Sequence, residues 1–207
     1  MISFPNFPKY KGININMMPF RPNIIETLPS QFHAYLPLIH ACGVQDSREV
    51  HFLTIDEREV FGTTHRRGGA HTEASHSVSW GGSPWGGRGG VWMCSNMSNS
   101  TRVWDIQIPT DQLGDGGSCS HLDLSQVPSR TLKKYELARI SDNTPHESLP
   151  ISGKRQFFRL VSPRVGAWYS DHSTKNPLCP LPEYINVIKG NKFDNIVLPC
   201  RFQGKGK

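Results

Sequence analysis

Glycine and proline supply 35 of the 207 residues, roughly 17% against a usual share near 12%. That excess argues against a mainly helical chain, because both residues are poor in helix interiors. Ten Phe, five Trp and five Tyr exclude a disordered chain, and the length fits one domain with a sizeable core. The formal net charge is +6, a balance that suits nucleic acid, anionic surfaces or acidic substrates. The Lys and Arg are nevertheless scattered, apart from Lys133-Lys134 and a basic tail over 201–207, so nucleic acid is disfavoured as a partner.

Taken in chain order, residues 1–48 read as an extended N-terminal arm that packs on the domain. Pro5, Pro8, Pro19, Pro22 and Pro29 there block helix and central strand alike. A short helical turn is expected within 28–41, limited by Pro37. The domain proper, 49–200, opens on a strand over 49–61, with Val50, Phe52, Thr54 and Asp56 on one face and His51, Leu53 and Ile55 on the other. A loop from Gly62 to Gly69 leads to Ala70-His71-Thr72-Glu73. The Gly/Trp-rich stretch 80–90, with Trp80 and Trp85 and followed by Trp92, either packs on its own domain or stacks a sugar or base.

Strands follow over 91–96 and 101–108, joined by a turn at 96–100. A helix is predicted over 130–138, with a strand over 135–140 as the alternative, and further strands over 154–161 and 165–170. The five cysteines (Cys42, Cys94, Cys119, Cys179, Cys200) form no Cys-x-x-Cys pair, which speaks for reduced thiols. No apolar run approaches the 18 or so residues of a membrane span, and Met1 to Lys11 has no apolar leader. A soluble, intracellular protein is expected. Many short strands between Gly, Pro and Asn turns predict an all-β fold with minor α content, and a jelly roll (double-stranded β-helix) fits the strand lengths.

The chemistry-bearing residues fall in two short segments, His71-Thr72-Glu73 and Thr144-Pro145-His146, with Arg155 nine positions after the second histidine. Two histidines and one carboxylate can hold Fe(II) and leave three coordination positions open. His71 and Glu73, two apart on a strand, would point to one side, and His146 must arrive from a neighbouring strand. Pro145 puts His146 at an edge, at the start of a strand, or on a loop. Arg155 and Arg159 share a strand face with Phe157 and Val161. If that face lines a barrel, an arginine there can bind a carboxylate; if Phe158 and Leu160 mark the core, both arginines face solvent. His65, His71 and His76 crowd one Gly-rich segment and can equally be exposed or bonded to backbone. Asp171-His172-Ser173 is discounted as a hydrolase triad, since adjacent residues cannot adopt that geometry.

Together His71-x-Glu73, His146 and Arg155 resemble the motif of the Fe(II)- and 2-oxoglutarate-dependent dioxygenases, mainly over residues 60–162. The resemblance implies a double-stranded β-helix with His71, Glu73 and His146 as Fe(II) ligands. It also implies 2-oxoglutarate as co-substrate, held through its far carboxylate by Arg155 or its competitor Arg159, and oxidation of a C–H bond in a small-molecule or polymer substrate. Glu73 departs from the commoner Asp, and Thr144 and Glu147 are candidates to surround the ligands. The rival expectation is a non-enzymatic jelly-roll protein, structural or carbohydrate-binding, that forms a homo-oligomer through the arm and the Trp-rich loop. Between the two lies a cupin-type metal enzyme in which Arg155 is dispensable.

Overall fold

A computed structural model describes residues 5–74, 90–163 and 165–191. The Gly/Trp-rich loop with Trp80 and Trp85, His76 and the basic tail lie outside the described residues. In chain order the strands are β1 (Asn14–Phe20), β2 (His51–Thr64), β3 (Val91–Ser95), β4 (Thr101–Trp104), β5 (Ser129–Thr131), β6 (Ala138–Ile140), β7 (His146–Ser148), β8 (Pro150–Val161), β9 (Ala167–Tyr169) and β10 (Asn186–Ile188). A 3₁₀ turn over Ser30–Tyr35 runs into a short helix, α1 (Leu36–Ala41), with Pro37 in its first turn, where a missing N–H costs nothing. The described chain is mostly β, and among its residues no helix is long and apolar enough to cross a membrane.

Five strands form one antiparallel sheet in the order β1-β2-β8-β3-β6, and β5-β4-β7 form a second. The second sheet is continued by His71, which bridges to His146 on one side and to Ser118 on the other. β9 and β10 make a short parallel pair. The spine is the β2–β8 ribbon, paired from Phe52↔Val161 to Thr64↔Pro150. Its two ends differ. Residues 51–57 and 155–161 are buried on both faces, whereas 58–64 and 150–154 are largely exposed.

Both faces of the inner half are covered because the chain supplies two covers. On the outer face Leu53, Ile55, Phe158 and Leu160 pack with Phe32, Tyr35, Leu38 and Ile39 from the 3₁₀ turn and α1. On the inner face Phe52, Phe157 and Val161 pack with Val91, Met93, Val165 and Trp168. The alternation expected for β2 is observed, with Phe52, Thr54 and Asp56 facing inward. The sequence posed Arg155/Arg159 against Phe158/Leu160 as rival core faces, yet both sets are buried.

The helix predicted over 130–138 does not form. Residues 129–131 pair with β4 and 138–140 with β3. The turn between them is held by Glu136, whose carboxylate accepts from Lys133 N at 2.9 Å and from Arg130 Nη1, and by Tyr135 N donating to Ser95 O. Long-range pairing here overrides local helix preference. The strand expected over 101–108 stops at Trp104, after which Asp105 N turns to Pro128 O and Ile108 N to Asn143 O.

Candidate functional site

His71 and His146 meet through the backbone. His71 N donates to His146 O at 3.1 Å and His146 N donates to His71 O at 2.9 Å. Such a reciprocally bonded antiparallel pair places both side chains on the same face, opposite each other. Their rings lie 4.6 Å apart between centroids. Each ring is also oriented by a carbonyl two residues away along its own segment: His71 Nδ1 lies 2.7 Å from Gly69 O, and His146 Nδ1 lies 3.0 Å from Thr144 O. A carbonyl can only accept, so both Nδ1 atoms carry a proton, which leaves Nε2 as the nitrogen each ring offers to the cavity. Burial, then the neighbouring His146 and Arg67, hold His71 well below its ordinary range and therefore neutral.

Pro145 precedes β7, whose first residue, His146, has ladder partners on both sides. His146 thus starts a strand and does not sit at an edge. Glu73 lies on the same side as His71, while Thr72 points the other way, donating through Oγ1 to Ala74 O at 2.8 Å. That segment is braced by Gly117, whose O accepts from Thr72 N at 2.8 Å. Gly117 has φ +78°, and a Cβ there would meet Ala74 O at 2.3 Å, so only glycine allows the approach.

The site lies in a cavity of about 390 Å³ whose lining includes His65, Arg66, Arg67, His71, Glu73, His146, Thr101, Ser148, Arg155 and Phe157. Glu73 Oε1 lies 3.7 Å from His146 Nε2 and accepts from Arg159 Nη1 at 2.6 Å. As the side chains stand, no three His, Cys, Asp or Glu among the described residues are close enough together to hold an ion. The donor set still fits one. Two imidazoles bound side by side to a first-row metal at about 2.1 Å place their ring centres roughly 4.5 Å apart, close to the observed separation, and the carboxylate lies beside them.

Arg155 differs from Arg66 on the same cavity wall. It is fully buried, and its guanidinium donates only to neutral acceptors: Ser95 Oγ at 3.2 Å, Ser148 Oγ at 3.0 Å, Thr101 Oγ1 at 3.2 Å and Ser100 O at 3.4 Å. Among the described residues no carboxylate forms an ion pair with it. Burial, then the charge of Arg66, lowers its pKa to about 10, against the pull of Asp56. Arg159 by contrast is paired with Glu73, and Arg66 with Asp56 at 2.9 Å. Asp56 itself is buried and gathers Arg58, His65 and Arg66. Burial would raise its pKa, but His65 and Arg66 outweigh that and hold it well below the usual carboxylate range.

The structure therefore brings His71, Glu73, His146, Arg155 and Arg159 to one cavity. Thr144 contributes its carbonyl to the His146 ring, whereas Glu147 pairs with Arg102 at 3.2 Å. His172 lines the same cavity. Sequence reasoning missed Ser148, Ser95 and Thr101 around Arg155. Ser148 was findable, since it lies two residues after His146 on one strand and shares its face. No protein-family model matches the chain, and no curated protein is found to be related to it.

Proposed function

We propose that the protein is an Fe(II)- and 2-oxoglutarate-dependent oxygenase built on a jelly roll. The strand pairings support the fold. Winding an eight-segment antiparallel ribbon pairs segments 1·8, 2·7, 3·6 and 4·5 and yields two sheets ordered 1-8-3-6 and 2-7-4-5. Here β2·β8, His71·β7, β3·β6 and β4·β5 are those pairs, and the sheets run β2-β8-β3-β6 and His71-β7-β4-β5, with β1 added at the edge.

The observation that carries the chemical reading is the pairing of two ends of one cavity. At one end two imidazoles, each bonded to a backbone carbonyl through Nδ1, present Nε2 beside a carboxylate; at the other, among the described residues, no carboxylate pairs with a buried guanidinium. A buried, unpaired cation is costly unless a ligand neutralises it. His146 and Ser148, two residues apart on β7, mark the two ends, about 7 Å of strand that a five-carbon dicarboxylate spans. His71, Glu73 and His146 would hold Fe(II), and Arg155, not Arg159, would take the far carboxylate, because Arg159 is committed to Glu73. Fe(II) with 2-oxoglutarate supplies O₂ activation coupled to oxidation of a C–H bond. The chain's own part is to hold both histidines aimed through their Nδ1 bonds, to neutralise the dicarboxylate, and to wall the cavity with Met93 and Phe157.

The test is an anaerobic titration with Fe(II) and then 2-oxoglutarate, following the weak metal-to-ligand absorption band. The band should require both additions and vanish in His71→Ala. Absence of metal uptake by the unsubstituted protein sinks the reading and favours the structural or carbohydrate-binding alternative.

A further inference from the structure

β1 carries an irregularity that bears on the site. Its register with β2 shifts between Ile15↔Ile55 and Met18↔Leu53, so Asn16 and Met17 together face Thr54. This is a β-bulge, with Met17 in the left-handed region at φ 47°. The extra residue lets two successive side chains turn inward. Met17 joins the inner core, Ile15 and Met18 stay with the outer one, and Asn16 reaches the cavity's polar wall.

Both polar atoms of the Asn16 side chain are engaged. Oδ1 accepts from Thr54 Oγ1 at 3.1 Å, Arg159 Nη2 at 3.2 Å and Arg66 Nη2 at 3.3 Å, while Nδ2 donates to His172 O at 2.9 Å. Three donors on one atom and a carbonyl on the other fix the orientation of the amide. Its backbone is tied to the same rim: Asn16 N donates to Thr174 Oγ1 at 3.0 Å and Asn16 O accepts from Thr174 N at 2.7 Å. The guanidinium that Asn16 steadies through Nη2 is the one that holds Glu73 Oε1 through Nη1.

We propose that Asn16 is a positioning residue of the metal site, fixing through Arg159 the orientation of Glu73 and tying both to the 172–174 rim of the cavity. The inference rests on the reading of His71, Glu73 and His146 as metal ligands. Partners one layer behind the ligands govern metal affinity because they hold the ligands in the bound geometry. A neutral amide suits this place: it accepts from two guanidiniums without competing as a charge with Glu73. An aspartate of the same shape would draw Arg159 away from Glu73 and lose the bond to His172 O.

The experiment measures Co(II) binding by absorption titration of the full chain, without co-substrate, for the unsubstituted protein, Asn16→Ala and Asn16→Asp. Thermal melting and, at saturating metal, 2-oxoglutarate binding are measured alongside. Both variants should bind Co(II) about tenfold or more weakly, while 2-oxoglutarate affinity at saturating metal stays within about twofold, since Arg155 is untouched. Unchanged Co(II) affinity in Asn16→Asp, with only the melting temperature lowered, assigns Asn16 a purely structural role and overturns this inference alone. Should Asn16→Ala fail to fold, the isosteric Asn16→Asp still decides. No Co(II) uptake by the unsubstituted protein overturns the metal reading, and this inference with it.

Discussion

Asp56 and Glu57 are neighbours on β2, both buried carboxylates, and they face opposite sides of one sheet. Glu57, on the outer side, is satisfied entirely by neutral donors. Tyr35 Oη donates at 2.5 Å and Gln156 Nε2 at 2.8 Å to Oε1, while Lys11 N at 2.7 Å and Ile13 N at 3.0 Å donate to Oε2. Asp56, on the inner side, pairs with the guanidiniums of Arg58 and Arg66 and touches the His65 ring. The outer carboxylate clamps the N-terminal segment to the sheet, a closed arrangement that asks for nothing further. On the inner face, among the described residues, no carboxylate forms an ion pair with Arg155. The difference separates a face whose carboxylate is closed by neutral donors from the face to which the proposed function assigns the ligand.

The comparison is broken most forcefully by Glu57→Ala. Removing the acceptor takes a partner from four donors, of which exposed Lys11 N can turn to water and Gln156 Nε2 keeps Pro8 O, at roughly 1–3 kcal/mol for each left unsatisfied. Some will find water, so a loss of about 4 kcal/mol in urea unfolding is expected, with Co(II) binding by the folded fraction unchanged. A loss under about 1 kcal/mol would show that Glu57 is not the clamp.

Arg155→Gln tests the other face and should give the opposite pattern. The affinity for 2-oxoglutarate should fall about 100-fold, or about 2.7 kcal/mol, because a charge-assisted pair is lost. Stability of the ligand-free protein should hold or rise, since a buried charge with only neutral partners has been removed. Unchanged 2-oxoglutarate affinity together with a marked loss of stability would place Arg155 with Glu57, among the groups that serve the fold.

Much of the frame was legible in the residues. The alternation of Val50, Phe52, Thr54 and Asp56 marks β2, and Lys154 to Val161 lies within β8. The choice between an arginine face and a Phe158/Leu160 face was posed wrongly because a single strand's pattern does not show how many covers the sheet has. Here α1 and its preceding turn cover the second face. The 130–138 helix was misread because Glu136 looks like a good helix former until its role as acceptor for Lys133 and Arg130 is seen. At the site, the residue types could be read but their meeting could not. His71 opposite His146 is a fact of register between segments 75 residues apart, and no local pattern fixes it. Asn16 was hidden for a related reason: a bulge moves a side chain without leaving a mark in the hydrophobic period.

His51, at the head of β2, gives the mildest test. Its Nε2 lies 2.9 Å from Ser47 Oγ, Nδ1 has no hydrogen-bond partner among the described residues, and burial lowers its pKa to about 4. A histidine whose folded pKa is depressed binds its proton more weakly folded than unfolded, so its contribution is intact above about pH 6.5 and is lost as pH falls toward 4. Between pH 7 and pH 5 the loss should be about 2 kcal/mol. Asp56 and Glu57, both held below their ordinary values, remain ionised over that interval and contribute only at lower pH. Burial also lowers His65 and His71, with the same sign, so the His51 share is the difference between the unsubstituted protein and His51→Leu. Urea unfolding at the two pH values should show a smaller drop in the variant by about that amount. An identical drop in both proteins would assign the whole acid sensitivity to His65 and His71, and so to the inner face instead of the structural one.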